Sequence, residues 1–362
     1  MSRSFTAEVV NDLNVATDPY ILPMVSQLNV DNVVHARLAK KSKPLDGGKK
    51  ISSPMRVRFE KAGSVTKYQS YDTQVKDILE MAEFDWKFVR GEMNISKVDV
   101  EVINAGKEAR LNIAESRILN MKDSMGAQFS ELLFKAVADR ATKDPESLYS
   151  MCATQNNTVG GIDASVCLGG SGTITEDYTW NPYLLDLSDQ SMTRAKLLNS
   201  NDDYYIRKIL RKLVDNLTMG NDEPTILLGS PALWSVYEED LMNFKQIDAN
   251  RMEIDGGFKA LSFRGIPFVK DANCPGGLIN TTDNDTSGVL FGLNENYLQF
   301  YHSSKYGTSN VGMGMRWVPW KELETEPVLH SRVEWAGALT CSNRQRQGAV
   351  IGLPSDTALN AA

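Results

Sequence analysis

The sequence predicts an α+β protein whose parts project from its body. Three observations predict it. Segments with period-two alternation lie toward both ends of the chain. A long stretch repeats its apolar residues every seven positions. The middle alternates amphipathic helices with short apolar strands. At roughly 100–200 residues per domain, 362 residues allow two or three packing units.

The elements follow in order. Residues 1–34 are weakly periodic and punctuated by Pro19 and Pro23, which predicts an extended arm with at most one short helix. Residues 35–61 hold nine basic residues against Asp46 and Glu60, a local charge of +7 in a chain of net charge -7. Such asymmetry suits attraction to an acidic neighbouring subunit or to nucleic acid; a solvated loop is the plainer alternative. Arg37, Lys40, Lys41 and Lys43 are the basic candidates of the arm.

Within this stretch Met55, Val57 and Phe59 alternate with Arg56, Arg58 and Glu60. After the break at Ala62-Gly63-Ser64, Val65–Tyr71 resumes the alternation, so a hairpin is predicted. A two-stranded ribbon is marginal by itself and must lie on something. Met55, Arg56, Val57, Arg58, Phe59 and Lys61 are therefore the candidates for contact between subunits. Phe84, Trp86 and Phe88 alternate with charges and predict a further strand seeking a sheet partner.

Leu111, Ile118, Met125 and Leu132 mark the seven-residue repeat, with Ala114, Met121, Phe129 and Leu133 beside them. This predicts one long amphipathic helix over about 104–140, longer than a compact domain needs. A coiled coil is the alternative, although the flanking segments read as sheet. The glycines and threonines of 156–181 mark a boundary. Beyond it, Ile206, Ile209, Leu210, Leu213 and Leu217 line one helical face, and 224–230 is a short apolar strand. Ser230-Pro231 starts the next helix, with serine as its cap and proline in its first turn. Strands are expected near 258–270, 288–293 and 296–301, making 160–310 an α/β layer. Strands return at 328–335 and 348–353 around a basic turn, Asn343–Arg346, and the tail 354–362 is expected to fray.

Composition removes several classes. Hydrophobic residues make up 42% and charged residues 23%, which argues against wholesale disorder. No apolar run approaches the ~20 residues of a membrane span, and the residues after Met1 lack a signal-peptide core. Neither export by that route nor membrane insertion is expected. The balance of 39 Lys+Arg against 46 Asp+Glu excludes a globally basic nucleic-acid binder. Cys152, Cys167, Cys274 and Cys341 are scattered without a CxxC, which fits reduced thiols better than disulfides or zinc.

Enzyme signatures are missing too. There is no P-loop, no GxSxG and no HExxH, and the glycine cluster at Gly312 and Gly314 lacks the GxGxxG spacing. Ser230 reads as a helix cap rather than a nucleophile, and the acids at 238–240, 283 and 285 read as a charged helix face and a solvated loop. Three histidines leave few proton shuttles, and His330 sits in an alternating strand. No enzymatic activity and no cofactor is expected. What remains is architectural: an arm, a hairpin, an over-long helix and layers of sheet, all exposing surface that a monomer leaves unburied.

In their order along the chain, these segments resemble the major capsid proteins of tailed bacteriophages, with the Hong Kong 97-type fold. The resemblance rests on 47–58, Tyr71-Asp72, Ala82–Lys87, the helix at 104–140, Val159–Asp163, Trp180-Asn181, Gly257–Pro267 and Ser342–Arg346. It spans nearly the whole chain and is carried by the order of the segments.

The resemblance implies a division of parts. Residues 1–45 would be the N-arm and 46–75 the E-loop hairpin lying across a neighbour. Residues 76–159 would form the peripheral domain with its spine helix, 160–315 the axial domain, 316–353 the C-terminal strands of the peripheral domain, and 354–362 a tail. Glu101, Glu108, Glu115 or the acidic 236–240 segment could be the target of the basic loop on a neighbour. The resemblance further implies self-assembly through pentamers and hexamers into an icosahedral shell around double-stranded DNA, held without sequence specificity. Scaffold, portal and decoration proteins are the implied partners, the virion capsid is the implied location, and assembly would take place in the host bacterial cytoplasm. Because the arm begins almost at Met1, any scaffold is expected to be a separate protein. An encapsulin-like compartment enclosing cargo protein is the alternative with the same fold.

Overall fold

The computed structural model describes residues 33–56, 64–67, 79–98, 113–166, 179–243, 251–254, 258–276, 287–305, 309–312, 314–322 and 327–360. In chain order the first elements are α1 (Val33–Lys40), β1 (Lys43–Leu45), β2 (Ile51–Arg56), β3 (Leu79–Phe84), β4 (Lys87–Ser96), α2 (Ile113–Phe134) and α3 (Leu148–Cys152). There follow β5 (Thr158–Val159), β6 (Ile162–Asp163), β7 (Tyr183–Asp186), α4 (Arg194–Leu198), α5 (Ile206–Leu217), β8 (Ile226–Gly229) and α6 (Pro231–Asn243). The remainder comprises β9 (Arg251–Ile254), β10 (Phe258–Phe263), β11 (Ile266–Lys270), β12 (Gly288–Leu293), β13 (Leu298–Ser303), β14 (Ser309–Gly312), β15 (Met315–Glu322), β16 (Val328–Cys341), β17 (Gly348–Leu353) and α7 (Asp356–Asn360).

Two larger sheets organise these elements. The first centres on the 14-residue strand β16, which pairs antiparallel with β4, β13 and β15; β1 joins at β13 and β14 at β15. The second runs in the order β7-β17-β12-β8-β11-β10-β9, with parallel pairs at β17–β7 and β11–β8. Its central strands are buried on both faces, which explains their unbroken apolar runs. Leu227, Phe268, Leu290 and Val350 pack beneath α5 and α6, within one hydrophobic cluster. Ile226, Leu228, Val269, Phe291 and Ala349 belong to another, shared with α2 and the first sheet. Phe134 at the end of α2 meets Phe291 with ring centroids 6.0 Å apart.

The helices of the middle section form where the periodicity places them. Every predicted apolar residue of α5 is buried. α6 begins at Pro231, and the Ser230 hydroxyl accepts a hydrogen bond from the Leu233 amide at 3.4 Å, as a capping serine does. β10 and β11 are joined through Arg264 and Gly265, both at positive φ, the geometry of a tight two-residue hairpin turn.

Five findings correct or refine the expectations. First, the strand at 296–301 is observed at Leu298–Ser303 and belongs to the β16 sheet, while β17 belongs to the other sheet. Strand pairing over long sequence separations decides this, and alternation within a strand does not encode its partner. Second, α2 ends at Phe134 rather than near 140. The chain turns at Ala136–Asp139, and Lys135 pairs with Asp144 at 3.0 Å. The predicted helix before Ile113 lies outside the described residues.

Third, the short helix allowed for the arm is α1, and it does not project: Val33, Val34 and Leu38 are buried in the chain's own core. Fourth, Met55 pairs with Glu80 in a ribbon of β2 with β3 that the alternation did not predict, and most of the expected hairpin of 55–59 with 65–71 lies outside the described residues. Residues 64–66 form no strand; 57–63 and 68–78 lie outside the described residues. Fifth, the tail does not fray over its described length: Asp356 and Leu359 are buried in α7.

Candidate assembly surface

The β2–β3 ribbon has two unlike faces, and the register shows why. Ile51 pairs with Phe84 and Ser53 with Ala82, placing these four residues on one face. Ile51, Ala82 and Phe84 are buried there in the main core. The base is fixed by the β5–β6 turn, where Gly160 O accepts from the Glu83 amide at 2.8 Å. Gly160 has a φ of 61°, and a Cβ there would lie 3.0 Å from the Phe84 ring. Trp86 Nε1 donates to Gly48 O at 2.9 Å, closing the other end.

Beyond this anchored base, Pro54 is paired with Met81 and Arg56 with Leu79. Leu79 is 71% exposed and Met81 52% exposed. Two large apolar side chains thus stand uncovered by the described residues, one on each side of Glu80. Lys50 and Glu83 pair at 2.8 Å on the surface, and that hydrogen bond together with the Glu83 charge raises the Lys50 pKa. Such an exposed pair orders the ribbon little.

The sequence candidates divide unequally. Met55 is half-buried and packs on the core, and Arg56 is exposed. Val57, Arg58, Phe59 and Lys61 lie outside the described residues. Arg37 and Lys41 turn inward to their own chain. The Arg37 Nε and Nη2 donate to the two oxygens of Glu295 at 2.6 and 2.9 Å, and Lys41 Nζ donates at 2.9 Å. Burial pushes the Glu295 carboxyl up, but the hydrogen bonds and charges of Arg37 and Lys41 prevail and hold it below its ordinary value. Lys40 and Lys43 are both exposed.

Two of the acids considered as a target for the basic stretch, Glu239 and Asp240, are engaged within the chain as well. Glu239 pairs with Arg194 at 2.6 Å; Asp240 pairs with Arg207 and accepts from the Tyr205 hydroxyl at 2.5 Å. Burial, with the Asp240 hydrogen bond, pushes the Tyr205 phenol up to about 12. The side chains of Glu101, Glu108 and Glu115 lie outside the described set. The described residues contain no group of three or more His, Cys, Asp or Glu arranged to hold a metal. Among them, no helix is long and apolar enough to cross a membrane. His330 Nδ1 lies 2.7 Å from Asn94 Oδ1 on the neighbouring strand, a cross-strand contact.

Sequence reasoning missed Leu79 and Met81, although their alternation with Glu80 and Ala82 was a usable signal. It also missed Arg344, read as part of a basic turn. Arg344 is fully buried, and its guanidinium donates to Met151 O at 3.1 Å, Ser150 O at 3.0 Å, Thr154 O at 2.9 Å and Asn157 Oδ1 at 2.8 Å. It also lies over the Trp180 ring, 5.9 Å from the centroid. This side chain fastens the 147–157 segment, which carries the turn beneath the ribbon, to the C-terminal strands.

No protein-family model matches the chain, and no curated protein matches its sequence. Solved structures do match over almost its full length. The capsid of cyanophage A-1(L) superposes with a TM-score of 0.64 at 14% identity, covering 94% of this chain and 98% of that one. The SrpI encapsulin of Synechococcus elongatus PCC 7942 gives 0.57 at 10% identity, covering 98% and 96%. The capsid of the native GTA particle gives 0.55 at 10% identity, covering 97% and 100%. The fold is the Hong Kong 97-type fold of tailed-phage capsids and encapsulins.

Proposed function

We propose that this chain is the major capsid protein of a tailed phage. In this reading it assembles through pentamers and hexamers into an icosahedral shell enclosing double-stranded DNA. The observation that carries the reading is the ribbon: its base is anchored in the core, and beyond it Leu79 and Met81 stand exposed. Covering each would contribute roughly 1–2 kcal/mol. Repeated around every closed ring, such small terms sum to a stable particle. The ribbon is then the base of the E-loop lying across a neighbour, and the seven-stranded layer is the axial part. Scaffold, portal and decoration proteins would be its partners.

Likeness to the SrpI encapsulin supports a second reading, a compartment shell enclosing cargo protein. One experiment addresses both. The full chain is overexpressed, sized by light scattering and viewed in negative stain, and the particle contents are assayed for nucleic acid and protein. Shells or ring-shaped capsomers are expected. Nucleic acid inside favours the capsid, and a copurifying enzyme the compartment. A 40.2 kDa monomer at all salt and crowding conditions, with the scaffold of the same genome coexpressed, would overturn both.

A further inference from the structure

The short helix α7 packs on α6, and one of its contacts is made by a buried acid. Its Leu359 side chain is fully buried beside α6, and the Leu359 carbonyl accepts from Arg194 Nη1 at 2.8 Å. At its start, the Asp356 amide donates to Gly276 O at 2.8 Å. The Asp356 side chain is buried, at 1% exposure for the residue. Its Oδ1 accepts from the Ala232 amide at 3.3 Å, in the first turn of α6, and the Ser230 hydroxyl bonds the same carboxyl. Its Oδ2 is buried without a hydrogen-bond partner among the described residues.

A second buried acid, Asp271, lies at the end of β11, which runs parallel to β8 and so ends beside Ser230. Its Oδ1 accepts from the Asn273 amide at 3.0 Å. Both acids act on the buried Cys274 thiol, whose pKa is raised chiefly by burial and further by the two carboxylates. The groups facing the latch from neighbouring elements are thus Ser230, Asp271, Cys274 and Arg194. The Arg194 guanidinium is engaged by the Leu359 carbonyl and by Glu239. Lys270 lies over the Trp234 ring, 4.8 Å from its centroid. Burial raises both acids, Asp271 to about 6. An acid raised on docking binds a proton more tightly docked than undocked. Docking is therefore strongest in mild acid and weakens as pH rises through the docked value.

We propose that residues 354–360 form a proton-controlled latch, seated on α6 in mild acid and loosened toward neutral pH by ionisation of Asp356 and Asp271. The proposal is independent of shell formation. Hydrogen exchange followed by mass spectrometry on the full chain at about pH 5 and pH 7.5, corrected for intrinsic exchange, tests it. Protection of 354–360, taken relative to β12, is expected to fall about tenfold or more at the higher pH. Asp356→Asn and Asp271→Asn are each expected to reduce that fall. Equal protection at both pH values in the wild-type chain overturns the proposal, as does a fall that persists unchanged in both variants. Should Asp356→Asn fail to fold, Asp271→Asn, which lies outside the latch, decides the outcome.

Discussion

Replacing Arg344 with alanine should loosen the chain at the junction between the 147–157 segment and the C-terminal strands. The side chain is fully buried and makes four hydrogen bonds to three carbonyls and one side-chain amide. A charge-assisted hydrogen bond contributes about 1.5–3 kcal/mol, but four on one group are not additive. Truncation leaves buried acceptors behind and opens a cavity, so a loss of about 3–5 kcal/mol is expected. Arg344→Lys retains a charge without the planar fork and should recover less than half of it. Urea unfolding of the unassembled chain measures the loss, and hydrogen exchange over 147–157 locates it. Arg344→Ala within about 1 kcal/mol of wild type, with unchanged protection there, would refute the assignment of Arg344 as the fastening group.

Other sites give equally concrete expectations. Leu79→Glu with Met81→Glu should leave subunit stability within about 0.5 kcal/mol, because both side chains are exposed, yet abolish particles in negative stain. Glu295→Gln should cost about 1–3 kcal/mol in urea unfolding by removing the buried carboxylate that Arg37 and the half-exposed Lys41 share. Because the Glu295 pKa is lowered on folding, its stabilisation is present above the ordinary carboxylate value and lost as pH falls through the folded one. The variant should therefore show a shallower loss of stability in acid. Gly337→Ala would place a Cβ 2.2 Å from Tyr301 O and 2.5 Å from the Trp335 ring, and should lower stability by roughly 1–3 kcal/mol in thermal or urea melts.

Local elements are legible in the amino-acid order. The apolar face of α5, the Ser230 cap of α6 and the apolar runs of β8 and β12 are written in spacings of two to seven residues, and local stereochemistry reads them directly. The α+β class and the capsid-type fold followed from their order. Which strand joins which sheet is settled only in three dimensions. β13 and β17 are strands of equal length, but they pair with partners in different layers. Chain packing likewise brings Arg37 and Lys41 to Glu295, 258 and 254 residues away, instead of leaving them for a neighbour. It also buries Arg344 and Asp356, two charged side chains in polar stretches. One cause underlies all of these: burial and pairing are properties of surfaces brought together from distant sequence, and the period of a single segment does not specify what will cover it.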